Sequence, residues 1–350
     1  MALGTAQILA HRRVMPGATA LELSDQRRPA GSPALRIEKL KSRGDVSKLT
    51  RALRHRNWRI RRAAAEALVE IGDPAVEGLI ETMSCPDDWA RLEAAGALGK
   101  IGDPRGVSPL IDALADDDGP VRREAAWALE ALGYRASNSL IGALKDERWH
   151  VRHAAAMALG ESGNPRAAES VAYVLRDEDR AVRRAGAWSL GKIGEPSSVG
   201  PLVDALKDAE PSVRAASTWA LGKIGESAFD PLSSALTDEK WWVRRAAAWA
   251  LGSMGERRCQ DPLLEAIDDQ EWAVRQAVIW SLRKVGDERA IKPILKYADD
   301  RVWSVRREVA RTLGQIGDDT CVDALLDRVR DPIPTVRKAA VKALEDIGAV

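Results

Sequence analysis

An all-α solenoid is what the 350-residue sequence predicts, on three observations. An arginine, usually preceded by valine, recurs ten times at steps of 30 or 31 residues: Arg61, Arg91, Arg122, Arg152, Arg183, Arg214, Arg244, Arg275, Arg306 and Arg337. A glycine stands eleven residues after every one of these anchors, from Gly72 to Gly348. Around each anchor, small or apolar residues recur one before it and three, seven and ten after it, the spacing of one helical face. A helical hairpin of about 30 residues cannot bury its own apolar face, so neighbours must stack and share a continuous core.

The elements follow in order. Residues 1–34 carry Pro16, Pro29 and Pro33 with no periodicity, and read as a flexible or irregular arm. Residues 35–46, LRIEKLKSRGDV, read as a short N-terminal capping helix. The array then occupies 47–350, with repeats ending near 72, 102, 133, 163, 194, 225, 255, 286, 317 and 348. Each repeat holds a first helix, A, as in LVDALKDAE, and a second, B, as in VRRAAAWALGSMG. The terminal glycine is followed by an acidic residue and often a proline, as in Gly102-Asp103-Pro104, which stops helix B and opens the next helix A. A second proline in helix A (Pro109, Pro201, Pro231, Pro262, Pro293) is expected to kink it or tighten its first turn. The last repeat places Lys338 and Lys342 at its surface columns, as a capping repeat should.

Composition narrows the function classes. With 53 Lys+Arg against 52 Asp+Glu the chain carries a formal charge of +1, which gives no global argument for nucleic acid. Its apolar runs are far short of the ~20 residues that a spanning helix needs. No secretory signal is recognisable at the N-terminus. Cys85, Cys259 and Cys321 stand at no CxxC spacing, so neither a zinc site nor a disulfide framework is expected, and the reading is cytoplasmic. There is no phosphate-binding glycine loop, GxSxG elbow or HExxH, so neither catalytic residues nor a cofactor is assigned.

The Asp six residues before the anchor, the Val-Arg anchor and the ALGKIGDP-type ending together resemble the HEAT-repeat family in its short, phycobilisome-lyase-like form, over roughly 300 residues. The resemblance implies a right-handed superhelix of ten hairpins, with the B helices lining a concave surface. It also implies a ladder in which each anchor arginine meets the aspartate of the next repeat; the matching residues are Asp116, Asp146, Asp177, Asp208, Asp238, Asp269, Asp300 and Asp331. The first two repeats depart from it, with His55 and Cys85 at that position. Two enzymatic relatives bound the alternatives. HEAT-like di-iron oxygenases of the deoxyhypusine hydroxylase kind use repeated His-Glu pairs, and none of the four histidines here is followed by Glu. His150 and His153 share a helical face but have no third ligand in register. Bilin lyases attach a tetrapyrrole to a phycobiliprotein cysteine, and a chromophore-handling role stands as an alternative on that analogy.

All 12 tryptophans fall into three columns of the repeat. Trp58, Trp149, Trp241, Trp272 and Trp303 lie three before the anchor, Trp89 and Trp242 two before it, and Trp127, Trp188, Trp219, Trp249 and Trp280 five after it. At 100° per residue the last column points roughly 130° away from the core face of helix B. With Met157 filling the gap, it forms a ladder of large apolar side chains over six repeats. The column one after the anchor is basic in six repeats, and Arg123, Arg184 and Arg245 precede Trp127, Trp188 and Trp249 by four residues, which permits stacking. The predicted inner face carries +7 on a chain of +1. The expected partner is therefore a protein or peptide segment with apolar and acidic groups, with no membrane; nucleic acid along the groove is the alternative, against which the near-neutral chain argues. The opposing reading is that the indoles lie flat over Gly191, Gly222 and Gly252 and merely seal adjacent helices.

Overall fold

The structure, a computed structural model, describes residues 33–349, so the expected N-terminal arm lies outside them up to residue 32. Every described element is helical, and the described residues fall into two compact units that meet at Ile101 and Gly102. The first unit contains α1 (Pro33–Ser42), α2 (Val46–Ala52), α3 (Trp58–Ile71), α4 (Val76–Met83) and α5 (Asp88–Ile101). Helix α1 packs on α2 and α3, covering the open end of the first hairpin.

The second unit holds eight more hairpins. Its A helices are α6 (Val107–Ala113), α8 (Ser137–Ala143), α10 (Ala168–Tyr173), α12 (Val199–Ala205), α14 (Phe229–Ala235), α16 (Gln260–Glu265), α18 (Ile291–Leu295) and α20 (Val322–Val329). They alternate with the B helices α7 (Gly119–Leu132), α9 (Trp149–Ser162), α11 (Arg180–Ile193), α13 (Pro211–Ile224), α15 (Trp241–Met254), α17 (Trp272–Val285), α19 (Trp303–Ile316) and α21 (Pro334–Asp346). Consecutive B helices pack side by side within the unit, which is the α-solenoid arrangement.

The sequence pattern accounts for these boundaries. Asp179 accepts hydrogen bonds from the Ala181 and Val182 amides and so caps α11. At the other end, Gly163 takes a left-handed φ of 62°, a conformation without steric cost only for glycine. Two of the terminators differ from expectation: Gly286 and Gly317 are extended, with φ of −78° and −77°. Glycine is still required there, because a Cβ would strike the carbonyl of Leu282 or Leu313. The second prolines fall near the start of the A helices, just after a 3₁₀ turn. Pro109, Pro201, Pro231, Pro262 and Pro293 are each the third residue of a short A helix, where the missing N–H has no helical partner to lose. A 3₁₀ turn such as Pro104–Gly106 precedes each A helix of the unit.

One column of the core is leucine in every repeat. The residue seven after the anchor is a fully buried leucine in nine repeats, Leu68 through Leu313, and Leu344 is nearly so. Burying each contributes roughly 1.5–3 kcal/mol. Closeness between B helices comes from small residues: a Cβ on Gly160, Gly191, Gly252 or Gly314 would lie 2.7 Å from the next B helix's Cα of Ser189, Ala220, Ser281 or Ala343. At two of these joints the facing serine also donates across it, Ser189 Oγ to the Ala156 carbonyl and Ser281 Oγ to that of Ala248, each at 2.7 Å.

Candidate functional site: the tryptophan face of the B helices

The loops between A and B helices fix where the site residues stand. Each clamp begins with the anchor arginine: Nη1 of Arg183 donates to the carbonyls of Asp177 and Glu178 in its own loop, while Nε and Nη2 grip Asp208 of the next repeat at 2.7 and 3.1 Å. Asp208 in turn accepts from the Glu210 amide and so holds the start of α13. Burial raises the Asp208 pKa, but the bonds from Arg183 and the Glu210 amide outweigh it and hold the carboxyl below its ordinary value. The same bridge joins Arg152 to Asp177, Arg244 to Asp269, Arg275 to Asp300 and Arg306 to Asp331. It differs from the expected ladder at two places. Asp146 is taken by Arg148 of its own loop, whose hydrogen bonds pull its pKa down to about 2. Asp238 is taken by Lys207 at 2.8 Å, and the Arg214 guanidinium lies 5.8 Å from the Trp242 ring centre instead.

That exchange explains the smallest tryptophan column. In the first unit Arg61, with Cys85 rather than an aspartate at the ladder position of the next repeat, stacks 4.8 Å over Trp89. Trp89 and Trp242 thus occupy the same register position and both receive the anchor arginine of the preceding repeat. Trp242 is half-buried, edge-on to Trp241, and its indole N–H is shut off from solvent.

The remaining columns lie at intervals of four residues, so on a helix they form one stripe: Trp241, Arg245 and Trp249 on α15; Trp272, Gln276 and Trp280 on α17; Trp303, Arg307 and Arg311 on α19. None of these nine is buried. Trp127 is 61% exposed and Trp249 45% exposed, while Met157, Trp188 and Trp280 are half-buried. The expected uniform ladder is resolved into pairs. Trp188 and Trp219 stack with ring centres 6.3 Å apart and planes 10° off parallel, and Trp249 and Trp280 do so at 5.1 Å and 18°. Between Trp219 and Trp249 no ring contact occurs among the described residues. Sealing and display coexist here: the Trp219 indole lies over Gly191, whose Cβ would meet its Cζ3 at 2.7 Å, yet the ring is still 36% exposed.

The cationic partners also differ from those the spacing permitted. Arg245 sits over Trp241, at 5.2 Å, rather than over Trp249, and Arg307 over Trp303 at 5.1 Å. Trp188 and Trp280 are met by lysines four residues later, Lys192 at 5.3 Å and Lys284 at 5.9 Å. Sequence reasoning missed these lysines although the i, i+4 signal was present. Arg123 and Arg184 stand exposed in the same row. Trp149 is edge-on to both His150 and His153, so the two histidines serve as aromatic neighbours there. The three cysteines are buried, and burial pushes the Cys259 thiol up to about 11.

The stacked hairpins, the recurring arginine clamp and the buried leucine column define a helical-repeat scaffold. HEAT repeats match residues 46–130, 107–172, 168–238, 229–308 and 291–350, and the chain belongs to the HEAT-repeat family. Over 92 residues it is 38% identical to the phycocyanin alpha phycocyanobilin lyase CpcF of Synechocystis sp., a match covering 26% of this chain and 43% of the lyase. Among solved structures it is similar to Kap121p (13% identity, TM-score 0.61, 90% of this chain and 43% of that one). Kap95p in complex with RanGDP is similar to the same degree (14%, 0.60, 91% and 53%). The chain spans about half or less of the length of each of these proteins, and the two karyopherin likenesses are likenesses of fold. No helix among the described residues is long and apolar enough to cross a membrane.

Proposed function

We propose that this chain is a non-enzymatic, cytoplasmic protein-binding scaffold whose B-helix face, in a concave groove, grips a partner segment bearing apolar and acidic groups. The observation that carries the reading is the exposure of Trp127 and Trp249 in one column, backed by arginines in the next. Large exposed aromatic surface rimmed by charge is unusual on a protein without a partner, and tryptophan and arginine dominate binding hot spots. Aromatic anchoring sets this apart from nucleic-acid binding, whose affinity falls steeply with salt.

The experiment is capture from a nuclease-treated lysate by wild type and by a Trp127→Ala, Trp249→Ala variant, chosen because neither ring belongs to the half-buried part of the face. A specific protein held by wild type in 0.3 M salt and lost by the variant is the expected result. Identical partners on both would refute the groove. The local identity to a bilin lyase favours one second reading, a chromophore-handling role; a visible absorbance band on adding a free bilin, abolished by the same variant, would establish it.

A further inference from the structure

We propose that the face formed by the fourth-, third- and second-last B helices, α15, α17 and α19, binds a proline-rich, acidic peptide in the polyproline II conformation. This rests on the protein-binding reading above and names the partner's chemistry.

Three stripes run side by side there. Trp241, Trp272 and Trp303 form one row, 37%, 44% and 41% exposed, with no ring contact among them in the described residues. They are separate ridges, unlike the stacked pairs of the other column. The next row, four residues on, is Arg245, Gln276 and Arg307: three side chains whose heads carry N–H donors. Arg245 and Arg307 are oriented by the indoles beneath them, at 5.2 and 5.1 Å.

Aromatic ridges beside a row of donors call for a ligand whose backbone carbonyls are free. An α-helix has used its carbonyls internally, whereas polyproline II makes no internal hydrogen bonds. The period then separates it from a β-strand. Packed helices lie ~8–10 Å apart. One turn of polyproline II is three residues at ~3.1 Å each, about 9.3 Å, so every third residue meets an equivalent position on the next helix. A strand repeats its facing side chain at about 6.7 Å and drifts out of register. Proline rings lie well on indoles and lose little entropy on docking. The two guanidiniums in the donor row select acidic residues in the turns that face α15 and α19, with the Gln276 amide between them.

Fluorescence anisotropy with three labelled twelve-residue probes decides it: (Pro-Pro-Glu)4, (Gly-Ser-Glu)4 of equal charge, and an acidic amphipathic helical peptide of equal length and charge. The first is expected to bind at least tenfold more tightly than the second. It should lose at least tenfold on Trp241→Ala, Trp272→Ala, Trp303→Ala, and less than twofold on Tyr173→Ala, an exposed residue of α10. If the triple variant does not melt cooperatively, Arg245→Ala, Arg307→Ala replaces it, with a loss of about tenfold expected. Equal binding of the first two probes would reduce the site to charge and overturn the proposal. Preference for the helical probe would also overturn it while leaving the protein-binding reading intact, as would absence of (Pro-Pro-Glu)4 binding with lysate capture still dependent on Trp127 and Trp249.

Discussion

The joint between α11 and α13 and the joint between α13 and α15 are built from the same register positions and come out differently. At the first, Arg183 bridges to Asp208, Trp188 stacks on Trp219, and Gly191 lets the α13 backbone in so closely that a Cβ would lie 2.7 Å from the Ala220 Cα. At the second, Arg214 leaves Asp238 to Lys207, Trp219 makes no stack with Trp249, and a Cβ on Gly222 would be 3.8 Å from the Ala250 Cα. Three independent features loosen together. The difference teaches that close approach needs the glycine and not the clamp alone: at the α17–α19 joint Arg275 still bridges to Asp300, yet Arg283 stands where the close joints have glycine.

The largest expected contrast is therefore between the two arginines. Arg183→Ala strands the nearly buried Asp208 carboxylate and is expected to cost ~3–5 kcal/mol. Arg214→Ala removes hydrogen bonds to the Asp208 and Ala209 carbonyls and a cation–π contact but strands no charge, so a loss of about 1 kcal/mol is expected. Urea unfolding of both variants checks this, and equal losses would break the comparison. Acid sharpens it. Asp208 is depressed in the folded state, so its contribution is present above the unfolded carboxylate pKa of about 4 and is lost as pH falls below it. Arg183→Ala should flatten that acid limb, while Arg214→Ala should leave its larger part.

The glycines follow. Gly191→Ala would push a methyl into the Ala220 backbone and the Trp219 ring, and an overpacking loss of about 1–3 kcal/mol is expected. Gly222→Ala meets Ser253 Cβ at 3.1 Å and the Ala250 carbonyl oxygen at 3.4 Å, and the gain in helix propensity of ~0.5–1 kcal/mol offsets the squeeze, so its stability should stay near wild type. Trp fluorescence of Gly191→Ala should change as well, because the Trp188–Trp219 stack lies over that contact. A Gly222→Ala loss as large as that of Gly191→Ala would show that both joints are equally tight.

Most of this architecture was legible from the chain, and the limits are physical. Period, anchor and terminator prescribe ten hairpins because each is a local signal, repeated: a buried leucine seven after the arginine, a glycine eleven after it. What Arg214 does was not legible, since its sequence surroundings, with Asp238 in register, match those of Arg183. The outcome is a competition between an ion pair and a cation–π contact, decided by Lys207 reaching the aspartate and Trp242 reaching the arginine. Trp89 in the same column was the one available hint. The pairing of the ladder was hidden for a similar reason: five tryptophans at one spacing read as uniform, whereas stacking depends on how closely each pair of helices approaches.

The last expected effect depends on pH and concerns the column in which Gly191 and Gly222 stand. On α7 that position is Glu130, half-buried beside Glu161, which itself pairs with Lys192 at 3.2 Å. Desolvation, then the Glu161 charge, raises the Glu130 pKa to about 7, with Lys192 opposing. A carboxyl raised in the folded state holds a proton that the unfolded chain releases, so its contribution is fully present below about pH 4.5 and is lost as pH rises to about 7. With solvent screening at a partly exposed site, about 1 kcal/mol is expected of the shift. Glu130→Gln should accordingly be the more stable protein at pH 8, by about that amount, and match wild type at pH 5. Urea midpoints measured at both values test it: parallel wild-type and variant midpoints would mean that the carboxyl is solvated and that this joint tolerates a charge where its neighbours require glycine.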